Sequence, residues 1–192
     1  MGALHVSQPK KKAQAEGGLI VFEDEASFRQ SPTLHQTWAP RHAQPQIPTR
    51  GERHTQKILG AVALTGSRLV WRHQTEYFNT QTYGGFLEDV VLPAFYRRGR
   101  RVFLVHDNAS YHKHPDLQAW YQTQSRRLEV CPLPKYSPEF NAMERIWQFT
   151  RKEATHNRYF ATVQALCTSL FSTFADIQQW PDLIAGLLQP YF

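Results

Sequence analysis

The chain has 192 residues and a formal net charge of +6, with 41% hydrophobic and 13% aromatic residues. This length and apolar content suit one domain with its own core and exclude a largely disordered chain. No apolar run reaches the roughly 18 residues of a membrane span, the lysine cluster "PKKK" has no apolar stretch behind it to make a signal peptide, and Cys131 and Cys167 alone make neither a disulfide framework nor a zinc knuckle.

Residues 1–18, polar, lysine-bearing and closed by Gly17-Gly18, read as a flexible basic tail, which leaves 19–192 as the folded domain. "GLIVFEDEASF" (18–28) predicts a buried strand ending near Glu23 or Asp24. The following stretch, 29–56, is rich in Pro, His, Gln and Arg and has room for one short strand around Thr37–Ala39 in an irregular loop. "KILGAVALTGSRLVWRHQ" (57–74) predicts two strands turning at Gly66. Within 79–97, Phe86, Val90, Val91, Ala94 and Phe95 have helical spacing. "RVFLVHDNASYH" (101–112) holds a strand, Val102 to His106, with Asp107-Asn108 at its carboxyl end. Pro115 opens a helix over "PDLQAWYQTQ", "RLEVCPLP" (127–134) is a strand stopped by proline, and helices follow near 141–156, 162–178 and 181–188. A strand meander joined to alternating helices and strands predicts an α/β fold, a mixed sheet with helices on its faces. Sites on such sheets lie beyond the carboxyl ends of strands.

Three carboxylates occupy such places. Asp24 ends the first strand, Asp107 ends the central one, and Glu144 lies in the first turns of the helix after the last strand. Converging oxygen ligands suit Mg²⁺, which takes a few carboxylates plus water and substrate phosphate. Two such ions, about 3.5–4 Å apart, activate a water or a 3′-hydroxyl and stabilise the leaving oxygen of a phosphodiester, with no histidine base or covalent nucleophile. Each acid also has a plainer reading. Asp24 suits a turn, with Glu25 and then Glu23 as rival ligands; Asp107-Asn108 suits an Asx turn; Glu144 suits the helix dipole. Along the helix, Met143, Ile146, Trp147 and Thr150 form an apolar stripe, and Asn141 and Glu144 share the polar face beside it.

The positive charge favours a polyanionic partner without naming one. "RRGRR" (97–101), with Arg97, Arg98, Arg100 and Arg101, reads either as a phosphate-holding patch or as a solvated turn. Lys113 and Lys135 are further candidate DNA contacts. His106, His112 and His114 lie in one short segment without thiolate partners, which argues against zinc. His112 either orients a scissile phosphate or caps the helix after it.

Together "VFEDE", "VHDNASYH" and "YSPEFNAMERIW" resemble the DDE transposases of bacterial insertion sequences in the Tc/mariner superfamily. The family pattern is met by Asp24-Glu25, by Asp107-Asn108 with His112, by Tyr136-Ser137-Pro138, and by Asn141, Glu144 and Trp147; Ala142 and His42 depart from it at positions that are not ligands. The resemblance implies a ribonuclease-H-like fold with a mixed five-stranded sheet and helices on both faces. It implies Asp24, Asp107 and Glu144 as catalytic acids and metal ligands, supported by Glu25, Asn108, His112 and Asn141. It further implies two Mg²⁺ or Mn²⁺ ions, cutting of DNA at transposon ends, strand transfer into target DNA, and a homodimer in a bacterial, nucleoid-associated setting. Family members generally begin with helix-turn-helix modules, so a separate helix-turn-helix subunit is the expected reader of the ends. The alternatives are an inactive or truncated remnant that only binds DNA or a partner, and a non-transposing nuclease of the same fold.

Overall fold

The computed structural model describes residues 3–49, 51 and 53–191. Side-chain alternation builds its central sheet. Along β1 (Leu19–Arg29), Leu19 and Val21 enter one core, while Phe22, Ala26 and Phe28 enter another on the opposite face. β2 (Thr55–Ala63) divides in the same way, Leu59 and Ala61 to the first core, Ile58 and Val62 to the second. With β3 (Leu69–Gln74), β4 (Val102–His106) and β5 (Leu128–Pro132), the sheet has the order β3-β2-β1-β4-β5. β1–β2 and β2–β3 are antiparallel; β1–β4 and β4–β5 are parallel. Both faces are therefore covered, as the near-continuous apolar run of β4 requires.

One face carries α2 (Thr80–Phe86), a π-helical turn (Leu87–Val91), α3 (Leu92–Phe95) and α4 (Pro115–Thr123). These bury Tyr83, Phe86, Leu92 and Leu117. The other face carries α5 (Met143–Thr150), α6 (Val163–Gln179) and α7 (Pro181–Leu188), which bury Trp147, Leu170, Phe174 and Ile184. The mixed five-stranded sheet with helices on both faces is thus as expected. Among the described residues, no helix is long and apolar enough to cross a membrane.

Three expectations are corrected. β1 does not stop at Asp24: β2 pairs with it from Val21 to Arg29, and Ala26 and Phe28 continue its inward alternation. Thr37–Ala39 is not a strand; none of the described residues pairs with it, Pro40 follows it, and Trp38 is fully exposed. The N-terminal segment is a helix, α1 (Ala3–Ala15), rather than an irregular tail. Ala13 is buried, and Lys12 Nζ lies 2.7 Å from Glu129 Oε1. Gly17 takes φ +64° and the Gly18 N–H bonds to the Ala13 carbonyl at 2.7 Å, so the diglycine closes the helix instead of forming a linker.

The register places the strand acids. β1 and β4 run in parallel with Phe22 opposite Val105. Asp24 and Asp107 each lie two residues further on, so both face the side of α5. On the other neighbour, Asp24 pairs with Gly60, where an added Cβ would lie 2.5 Å from the Trp147 ring and 2.6 Å from Met143. Because Trp147 is buried and cannot retreat, Gly60→Ala is expected to destabilise the fold by about 1–3 kcal/mol, as overpacked cores do. Urea unfolding measures this, and an unchanged midpoint would show that α5 is not seated on Gly60.

Candidate active site

The site starts from the polar residues that join α5 to the sheet. Asn141 is buried; its Nδ2 donates to the Glu23 carbonyl at 2.9 Å and its Oδ1 accepts from the Met143 N–H at 3.1 Å. It therefore pins the start of α5 to β1. One turn on, Ile146 and Trp147 enter the core, where Trp147 meets Phe28 and Phe174 edge-on at 6.1 Å each. Its indole Nε1 donates to Asp24 Oδ2 at 3.0 Å. Glu144, on the opposite side of the apolar stripe, is left half-buried at the sheet's edge.

Asp24, Asp107 and Glu144 line one cleft of about 580 Å³. Asn108, Asn141, Lys113, Lys135 and Tyr136 share its walls. The Asn108 side-chain amide donates to the Leu133 carbonyl and joins the ends of β4 and β5. Asp107 Oδ1 accepts the Ala109 N–H at 2.8 Å, an Asx turn, and meets His112 Nδ1 at 3.3 Å. The turn and a role in the cleft are thus compatible readings of the same side chain.

Period-two alternation sorts the acidic run Glu23-Asp24-Glu25. Asp24 faces α5 and the cleft, while its two neighbours face α2. Glu25 Oε1 accepts the Tyr111 hydroxyl at 2.6 Å and lies 3.3 Å from His112 Nε2. His112 is buried and also contacts His106 at 2.9 Å between Nδ1 atoms. It therefore bridges Glu25 of β1 to Asp107 after β4, and does not reach into the cleft or cap α4, whose cap is His114. Among the described residues, two sets of ligand-type atoms lie within 4.8 Å of one another: Glu25, Asp107 and His112, and Glu23, His106 and His112.

The electrostatics follow. Burial pushes the Asp24 carboxyl up to about 7, with the Glu25 and Glu144 charges adding to it. The His112 hydrogen bond holds Asp107 below its usual value. Burial opposes charge on His112, but hydrogen bonds to Asp107 and Glu25 outweigh it and hold the ring up to about 9. His106, buried beside that charge, falls to about 3. Glu23 is pushed well up by burial and by the Glu25, Asp24 and Asp107 charges; its oxygens have no hydrogen-bond partner among the described residues, and the nearby Tyr83 hydroxyl is taken by His106 Nδ1 at 3.1 Å.

The candidate DNA-contacting residues fall in two places. Arg97, Arg98, Arg100 and Arg101 precede β4, whereas Asp107 follows it. Five strand residues, roughly 17 Å, therefore separate that patch from the acids. Arg101 is taken up by Glu129 at 2.8 Å and Glu16 at 3.5 Å, and Arg97 by the Tyr96 carbonyl at 2.7 Å. Lys113 and Lys135 do reach the cleft. The Trp147–Asp24 bond and the exposed ring of Tyr136 were not anticipated; the spacing of Trp147 three residues after Glu144 was the available signal for the first.

By donor type the cleft suits a divalent cation: it offers the carboxylates of Asp24, Asp107 and Glu144, with no Lys or Arg ion pair to Asp24 or Glu144 among the described residues, although the oxygens of these three do not all lie within 4.8 Å of one another.

A family model described as DDE superfamily endonuclease matches residues 19–167. A curated relative, the insertion element IS630 uncharacterized 39 kDa protein of Shigella sonnei, is 24% identical over 185 residues; the match covers 96% of this chain and 50% of the relative, so the chain spans about half the length of that protein. The Mos1 transposase paired-end complex with the left transposon end is similar in fold, with TM-score 0.70 at 18% identity, covering 97% of this chain and 55% of that one. The Mos1 mariner paired-end complex with Mn gives TM-score 0.68 at 19% identity, covering 97% and 56%. Because that family model covers most of its length, this chain belongs to the DDE endonuclease superfamily, and its ribonuclease-H-like sheet is similar in fold to that of Mos1 transposase.

Proposed function

We propose that this domain nicks and joins DNA at the ends of an IS630-type insertion element, with Asp24, Asp107 and Glu144 as its catalytic acids and the ligands of two Mg²⁺ or Mn²⁺ ions. The observation that carries the reading is that acids from β1, the end of β4 and α5 line one cleft, with no Lys or Arg ion pair to Asp24 or Glu144 among the described residues. The ions, when bound, activate the attacking oxygen and stabilise the leaving one. The chain's own residues prepare the place. Trp147 fixes the direction of Asp24, and His112 and the Ala109 N–H fix Asp107. Asn141 sets where α5 begins and so where Glu144 points. Lys113 and Lys135 offer charge to the phosphates flanking the scissile one. Water attack breaks the phosphodiester and leaves a 3′-hydroxyl, which then attacks a target phosphate and displaces its 3′-oxygen. Mn in a related paired-end complex supports the choice of ion. Joining two ends calls for two copies of the domain, so a homodimer is the proposed active form. A helix-turn-helix part, on the same or a separate chain, is the proposed reader of the ends.

Asp107→Asn and Glu144→Gln are expected to lower Mn²⁺-dependent nicking of supercoiled plasmid on the order of 10³-fold, the several kcal/mol that bound metal supplies. Equal nicking by wild type and Asp107→Asn would refute the assignment, and nicking without joining of oligonucleotide ends would leave a nuclease rather than a transposase.

Crowded carboxylates repel one another until a cation separates them. Without divalent ions, Asp24→Asn is therefore expected to be more stable than wild type by about 1 kcal/mol. Mn²⁺ should raise the melting temperature of wild type and leave that of Asp24→Asn nearly unchanged, measured by calorimetry.

His112 acts through Asp107 as a positioning residue. His112→Ala is expected to reduce kcat by about 10- to 100-fold, the usual effect of losing a partner of a metal ligand, with KM for DNA little altered. His112→Asn, which keeps a donor towards Asp107, should recover part of kcat; equal loss in both variants together with a lowered melting temperature would indicate a packing role alone.

A further inference from the structure

We propose that Tyr136 is a stacking platform that receives an unstacked nucleobase next to the phosphate held at the acids. This rests on the reading of the cleft as a DNA site and names the form in which the DNA enters it.

The ring is 98% exposed, although Tyr136 lines the same cleft as Asp24, Asp107 and Glu144. Among the described residues, no side-chain hydrogen bond or ring contact holds it. A large aromatic surface kept in water beside a deep cleft is unused binding area. The backbone holds it there. Tyr136 takes φ +57°, the left-handed region that favours glycine, within a segment bounded by Pro134 and Pro138. Both flanks are fastened. The Leu133 N–H bonds to the His106 carbonyl at 2.8 Å, and its carbonyl accepts from Asn108. On the far side, the Tyr191 hydroxyl reaches the Glu139 and Asn141 carbonyls at 3.0 and 3.2 Å. A strained turn tied at both ends directs the ring outward at one place on the rim.

The neighbours identify the occupant. Lys135 is adjacent and Lys113 lies on the same cleft, and both suit phosphate. The acids suit a metal-neutralised phosphodiester. The polymer that carries phosphates at both places also carries a flat aromatic base between them, and a base stacks on tyrosine only after leaving its own stack. Stacking on a π-face tolerates any base, so it orients the strand without reading its sequence.

The test compares a fluorescein-labelled oligo(dT) of roughly ten nucleotides, a length within the usual site size of a single-strand groove, with an abasic strand of equal length and charge. Binding is followed by anisotropy at low salt in Ca²⁺. Wild type is expected to prefer oligo(dT) about tenfold, the lower end for one stacked base. Tyr136→Ala should erase that preference and leave abasic binding unchanged, whereas Tyr136→Phe and Tyr136→Trp keep it. Lys135→Ala should weaken both strands equally and flatten the salt dependence. A preference that survives Tyr136→Ala, a wild type that does not distinguish the strands, or a Tyr136→Ala loss equal on both strands would each overturn the proposal. Acid-dependent nicking, lost in Asp107→Asn, is read separately, so failure of stacking is distinguishable from failure of the catalytic reading.

Discussion

The Trp147–Asp24 hydrogen bond is the contact on which the rest of the site depends. Trp147 belongs to the core, fully buried against Phe28 and Phe174, yet its one polar atom ends on the strand acid. A buried indole N–H needs an acceptor, and here that acceptor is a carboxylate at the cleft. The packing of α5 and the orientation of Asp24 are therefore one constraint. Gly60 makes it possible, because any side chain opposite Asp24 would occupy the volume of the indole. Glu144 lies three residues earlier on the same helix, so the seat that fixes Trp147 also fixes the third acid.

Behind this front lies a second polar layer on the opposite side of the sheet. The alternation that sends Asp24 to the cleft sends Glu23 and Glu25 towards α2, where they join His106, His112, Tyr83 and Tyr111. Such a cluster is costly to bury, and each member's state depends on the next. The His112 imidazole is held up to about 9 and His106 beside it down to about 3, while burial and the surrounding negative charge push the Glu23 carboxyl well up. The arrangement holds Asp107 low while Asp24 is pushed up, so the two strand acids differ before any ligand arrives. Their environments differ because Asp107 has an imidazolium partner and Asp24 has only an indole.

Much of this was legible in the sequence. Strands such as Val102–His106, and helices with the clean stripe of Met143, Ile146, Trp147 and Thr150, carry periodicities that packing leaves intact. Asp107 was legible as a strand-end residue and Glu144 as a helix-start residue, whereas Asp24, read as a strand end, lies in the middle of β1. The length of β1 was not legible, because its second half is held by pairing to β2, a non-local contact that leaves only weak alternation at Ala26 and Phe28. The helix at Ala3–Ala15 was hidden by Pro9 and three lysines, of which Lys12 is answered from across the chain by Glu129. The Arg101 ion pair was hidden for the same reason, since its partner Glu129 is remote in sequence and neighbouring in space. Asn141 reads as a cleft residue by its face on the helix, and it does line the cleft; the structure adds that its amide is also engaged with the Glu23 carbonyl.

The distribution of charge bears on how DNA is held. The chain is basic overall, but its densest cationic run sits at the amino ends of the parallel strands, and part of it is neutralised by Glu16 and Glu129. The cleft at the carboxyl ends places three acids beside Lys113 and Lys135. A phosphodiester approaching it meets local negative charge, which the net charge of the whole molecule offsets only weakly across a Debye length of about 8 Å. Divalent ions then have two roles under the proposed function: they enable the chemistry, and they reverse the sign of the field at the place where the scissile phosphate must lie. Aromatic contact at the rim is the kind of attraction such a site can add without more cations, because stacking is insensitive to the charge beneath it.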